Sequence, residues 1–104
     1  MSRVSTVTAT IAVPNSPAVV IDHLAENFAV GFGCVRGGDT TFKVQHTFDD
    51  IMDASVTPTW FDHSSVTGKT ANTDGNYAFP VRAIRVAITA GTTGTVVMTV
   101  IQAR

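Results

Sequence analysis

The chain has 104 residues with a formal net charge of −1 and a pI near 6.2, and only 14% of its residues are charged. That length specifies one domain, residues 1–104, able to build a two-layer core of modest size. The near-neutral balance excludes the basic footprint of a nucleic-acid binder. No run approaches the roughly 18 apolar residues of a membrane-spanning helix, so neither nucleic acid nor membrane is an expected partner.

Thr, Val, Ala and Gly take the place of the missing charges, a composition that suits pleated sheet. A sparsely charged surface is suited to protein contact, and a domain this small gains stability by associating with copies of itself or with a partner. Residues 1–13 lack the continuous apolar stretch of a secretory signal. The single cysteine, Cys34, rules out an internal disulfide framework and fits folding in a reducing cytoplasm. It has no neighbouring His or Asp in sequence and is expected to be a small core residue.

Residues 4–13 read as a strand with Val7, Ala9, Ile11 and Val13 on one face and Thr6, Thr8 and Thr10 on the other. Pro14-Asn15-Ser16-Pro17 ends it, because proline cannot donate to a ladder. Residues 18–21 read as a short apolar strand, and Asp22-His23-Leu24-Ala25-Glu26 as a turn or one helical turn. Phe28, Val30, Phe32 and Cys34 share one face of the next strand, with Gly31 and Gly33 opposite, before a turn at Arg36-Gly37-Gly38-Asp39. Residues 41–48 set Phe42, Val44, His46 and Phe48 against Lys43, Gln45 and Thr47. Residues 49–76 are expected to be irregular, with a positive-φ turn at Thr73-Asp74-Gly75-Asn76.

Two strands close the chain. Residues 81–90 place Ile84, Val86 and Ile88 on one face, and residues 95–102 are apolar on both, as in a central strand or one facing a partner. Ala90-Gly91-Thr92-Thr93-Gly94 is expected to join them as a hairpin. The fold class that follows is all-β: a single-domain antiparallel β-sandwich, jelly-roll-like, of about seven or eight strands.

No constellation of catalytic groups stands out. His46, Asp49, Asp50 and Asp53 have metal-binding chemistry, but His46 shares the face of Phe42 and Phe48 and is expected to point inward, away from Asp49. Asp62-His63-Ser64-Ser65 holds the residue types of a hydrolytic triad, yet triads are assembled from separate elements, and the glycine-flanked nucleophile elbow is missing. Residues 72–76 are rich in side-chain oxygen without the spacing of a calcium loop. No catalytic residue, cofactor or metal is therefore expected. The pair Trp60-Phe61 is the candidate contact: in extended chain one ring enters the core and the other faces outward as an interface anchor or a sugar-stacking platform, the alternative being that both rings pack under the long loop.

The strand Val44-Gln45-His46-Thr47-Phe48-Asp49-Asp50 is followed by Thr57-Pro58-Thr59-Trp60-Phe61, then Thr70-Ala71-Asn72 and Asn76-Tyr77-Ala78-Phe79-Pro80-Val81-Arg82-Ala83-Ile84-Arg85. A glycine-rich connection and a terminal Val-x-x-Thr-Val-Ile-Gln strand complete the pattern. This order resembles the small tailed-bacteriophage capsid decoration, or cement, proteins. The resemblance implies a non-enzymatic virion protein on the outer capsid surface, made in the host cytoplasm, that bridges neighbouring major capsid protein subunits as a dimer or trimer. Trp60, Phe61, Arg82 and Arg85 are the contact residues expected on this reading, and exposed strand edges and the alternating N-terminal segment could add strands to neighbours. The alternative is a carbohydrate- or receptor-binding module of a virion, resting on Trp60 and the long polar loop.

Overall fold

The computed structural model describes residues 2–24 and 29–103. Among them eight strands form: β1 (Ser2–Thr10), β2 (Val19–Val20), β3 (Ala29–Arg36), β4 (Thr41–Thr47), β5 (Phe61–Asp62), β6 (Thr73–Tyr77), β7 (Ala83–Ala90) and β8 (Thr95–Ala103). They build two four-stranded antiparallel sheets, ordered β1-β8-β3-β6 and β2-β7-β4-β5. Of the consecutive strands only β4 and β5 share a sheet, so nearly every connection crosses the sandwich. Two such interleaved sheets are the jelly-roll arrangement.

Most period-two rows expected from the sequence form the core; in the first, β1 stops at Thr10 and Val13, expected on the inner face, is 61% exposed. Val30, Phe32 and Cys34 of β3 face Phe42 and Val44 of β4, with Ile84 and Val86 of β7 and Val96, Met98 and Val100 of β8 completing it. β8 is apolar on both faces because it is central, hydrogen-bonded to β1 on one side and β3 on the other. The expected positions of Phe28 and of the turn through Ala25-Glu26 lie outside the described residues. At the first break, Pro14 and Ser16 dock on β7: the Ile88 N–H donates to Pro14 O at 2.9 Å and the Ser16 N–H to Val86 O at 2.9 Å.

Two expectations are corrected. Ala90-Gly91-Thr92-Thr93-Gly94 does not close a hairpin, because β7 and β8 lie in opposite sheets. It crosses the end of the sandwich beside the β3–β4 crossing, and the two turns lock together. The Gly37 N–H donates to Thr95 O at 2.7 Å. The Asp39 carboxylate accepts the N–H groups of Thr92 and Thr93, each at 2.9 Å, and the Thr92 hydroxyl at 2.7 Å. Those three donors hold the Asp39 carboxyl well below the usual carboxylate range.

Thr73-Asp74-Gly75-Asn76 is likewise not a turn. It is most of β6, which pairs with β3 from Cys34↔Thr73 to Val30↔Tyr77. Glycine is needed at 75 for space rather than for positive φ: a Cβ there would sit 2.7 Å from the tip of the Phe32 ring. The positive-φ turn of this region is at Gly68 instead.

Candidate functional site

The inward rows of β4 and β6 continue past the ends of their strands. Phe42, Val44 and His46 face the core, and the next member, Phe48, lies one residue beyond β4. In the other sheet the row reaches Tyr77 and its next member is Phe79, just before Pro80. β5 adds Phe61, paired directly opposite His46. Each row therefore ends in a phenyl ring at the open end of the sandwich, and Phe48, Phe61 and Phe79 are 48%, 49% and 49% exposed.

These rings surround one buried imidazole. His46 is 7% exposed, with ring centroids 5.5 Å from Phe48, 6.0 Å from Phe61 and 5.6 Å from Phe79. Phe48 also lies 5.9 Å from Phe61 and 6.3 Å from Phe79, so the three form a contiguous apolar mouth. Beneath them His46 Nδ1 and the Tyr77 hydroxyl share a hydrogen bond of 2.9 Å. Deeper still, the His63 ring stands edge-on to Tyr77 at 4.9 Å and to Phe32 at 5.4 Å. His63 Nε2 donates to Asn76 O at 2.9 Å while its Nδ1 accepts the Ser65 N–H at 3.1 Å, which fixes the neutral Nε2–H tautomer.

Burial disfavours the imidazolium of His46, and the nearby His63 adds to this, while Asp62 opposes it; the net shift is downward from the ordinary histidine value. Burial pushes the Tyr77 hydroxyl upward. A histidine whose folded pKa is depressed contributes stability that is complete above the unfolded value of about 6.5 and is lost as pH falls below it toward the folded pKa. Urea unfolding at about pH 7.5 and 5 is therefore expected to show lower stability at the acidic pH, with a smaller difference in His46→Gln. An equal loss in both proteins would assign the acid sensitivity elsewhere. Tyr77→Phe leaves a buried ring nitrogen without its partner and is expected to cost about 1–3 kcal/mol in the same assay.

Trp60 and Phe61 point to opposite sides of the β5 edge, but neither ring enters the core as expected. Phe61 lies at the mouth, and Trp60 lies on the outer face of the second sheet, where the Arg85 guanidinium carbon sits 4.1 Å from its ring centroid. There the Arg85 Nε–H donates to Gln45 Oε1 at 3.0 Å, Gln45 Nε2 donates to Asp62 Oδ1 at 2.9 Å, and Lys43 Nζ lies 3.1 Å from the same oxygen. Gln45 foremost, then Lys43, hold the Asp62 carboxyl below its ordinary value. Arg85 thus positions Trp60. Arg82 stands apart from this network, 3.7 Å from Asp50.

The remaining chemical candidates serve the loops that carry these groups. Asp49 accepts the Thr59 N–H at 2.7 Å, tying the 49–60 loop to the end of β4, and Asp53 caps Ser55. Among the described residues no three of His, Cys, Asp or Glu converge as metal ligands. Cys34 is buried on the inner face of β3, its thiol pushed up to about 12 by burial. Phe48 and Phe79 were missed as surface groups. The available signal was an aromatic ending an inward row just before chain-breaking residues, Asp49-Asp50 in one case and Pro80 in the other.

No protein-family model and no curated protein matches the chain. Among solved structures it is similar to a chain of Bacillus endospore appendages, described as a novel family of disulfide-linked pili. The TM-score is 0.51 at 12% identity, covering 98% of this chain and 86% of that one. The likeness is one of fold. This chain has only the buried Cys34, so it offers no accessible thiol for linkage of that kind.

Proposed function

We propose that this protein is a non-enzymatic structural component of a phage virion, bound to the outer capsid surface, where it clamps neighbouring major capsid protein subunits across their seam. The observation that carries the reading is the aromatic mouth. Three half-exposed phenyl rings packed on one buried histidine are a preformed apolar anchor, and aromatic anchors desolvated at the centre of a contact dominate binding energy. The jelly-roll fold, the low charge and the resemblance to decoration proteins support the same reading.

Such a protein needs no reaction. It stabilises an assembly by binding the assembled lattice better than the separated subunits, and burying about 800 Å² on each partner is the usual scale for a specific contact. The carbohydrate alternative used Trp60 as its platform, and Arg85 now occupies one face of that ring. Identification of the proteins in purified intact particles tests the proposal. Many copies, removable without opening the shell, are expected; absence from the particle, or only a few copies, contradicts it.

A further inference from the structure

We propose that two copies of this chain pair edge to edge through β1, extending the β1-β8-β3-β6 sheet into a continuous eight-stranded sheet about a two-fold axis at Thr6. Among the described residues β1 pairs only with β8, and no hydrogen bond reaches its other edge between Val4 and Thr8. The direction of its backbone groups is fixed at one end. The Thr10 N–H donates to Val13 O at 3.0 Å, and the carbonyl of its cross-strand partner Thr95 turns away to accept the Gly37 N–H. Thr10↔Thr95 is therefore a non-hydrogen-bonded pair, and by alternation the N–H and C=O groups of Val4, Thr6 and Thr8 also face outward.

A long edge with free backbone groups templates pairing unless it is blunted by charge, proline, a bulge or brevity. The other edges are blunted. β2 and β5 are two residues each. β6 is five residues long, carries Asp74, and has its Asn76 carbonyl occupied by His63. β1 runs nine residues in regular register, with no proline and one charged residue, Arg3, whose guanidinium is bonded within its own chain to Val20 O at 2.8 Å.

The sequence of β1 favours a second copy over a foreign strand. Centring the axis on Thr6 pairs residues 3–9 of both strands, leaving Thr10 to its own Val13: Thr6 with Thr6, Val4 with Thr8, Ser5 with Val7, and Arg3 with Ala9. No like charges face each other, and about six backbone hydrogen bonds form. Such a contact is isologous and closes at two copies.

Sedimentation or light scattering of the full chain is expected to give twice the 11.0 kDa chain mass at micromolar concentration. Thr6 is exposed, so Thr6→Lys and Thr6→Glu leave the folded monomer intact, as circular dichroism will check. Each variant alone places like charges across the axis and is expected to dimerise at least about fivefold more weakly, whereas an equimolar mixture recovers the dimer as Lys faces Glu. A monomeric wild type, including one that instead takes up an extended capsid segment, overturns the proposal. So does a trimer, a dimer indifferent to both variants, or a mixture that does not recover.

Discussion

Replacing Phe48, Phe61 and Phe79 together by serine is expected to abolish attachment to the capsid while leaving a cooperatively folded domain. All three rings lie at the open end of the sandwich, about half exposed, and beneath them the core from Phe42 to Val100 remains closed. A central aromatic anchor is worth about 2 kcal/mol or more when truncated. Even with incomplete additivity, the triple variant should bind at least about a hundredfold more weakly to shells lacking the protein, measured by co-sedimentation. Binding unchanged in a variant that still melts cooperatively would remove the mouth from the contact and, with it, the observation on which the functional reading rests.

Gly94→Ala is expected to destabilise the fold by about 3–5 kcal/mol, a large share of the 5–15 kcal/mol typical of a domain. Two causes combine. Gly94 has φ of 106°, which an L side chain rarely adopts, and a Cβ there would stand 2.1 Å from Gly37 O. That atom is backbone in the neighbouring inter-sheet turn, so it cannot swing away. Relief would require separating the β3–β4 and β7–β8 crossings that Asp39 holds together. Gly68→Ala is the control: its φ is 59°, but a Cβ meets nothing within 4 Å, so only the left-handed backbone cost of about 1–2 kcal/mol applies. Equilibrium denaturation of the two variants separates collision from conformation. Equal losses would mean the locked turns contribute nothing beyond backbone preference.

The parts of this fold legible in the sequence were those governed by period-two burial. The inward rows Val30-Phe32-Cys34, Phe42-Val44-His46 and Ile84-Val86-Ile88 all face the core, because a one-residue slip would turn each row to solvent. Pairing was less legible, because composition does not say which sheet a strand joins. Thr92-Thr93 flanked by glycines suits a hairpin and an inter-sheet crossing equally, and the choice is made by Asp39, more than fifty residues earlier in the chain. Asp74-Gly75 reads as a turn until Phe32 is seen to occupy the space beside Gly75.

The candidate site shows the same division. Trp60-Phe61 could be singled out locally, but the mouth that Phe61 joins is assembled from β4, β5 and the end of β6. Phe48 reads as one more member of the Phe42-Val44-His46 row, and nothing local singles out Phe79. What exposes them is that the strands stop beneath them, a tertiary fact. Arg85 packs on Trp60 and bonds to Gln45, a pairing across strands that local sequence does not show.

The most direct test of the central claim is the temperature at which particles release their genome, compared with and without this protein. Particles lacking it are expected to release at a lower temperature, with recovery on adding back the wild-type chain but not the Phe48, Phe61 and Phe79 triple-serine variant. An unchanged release temperature, or full recovery by that variant, would contradict a protein that stabilises the shell through its aromatic mouth.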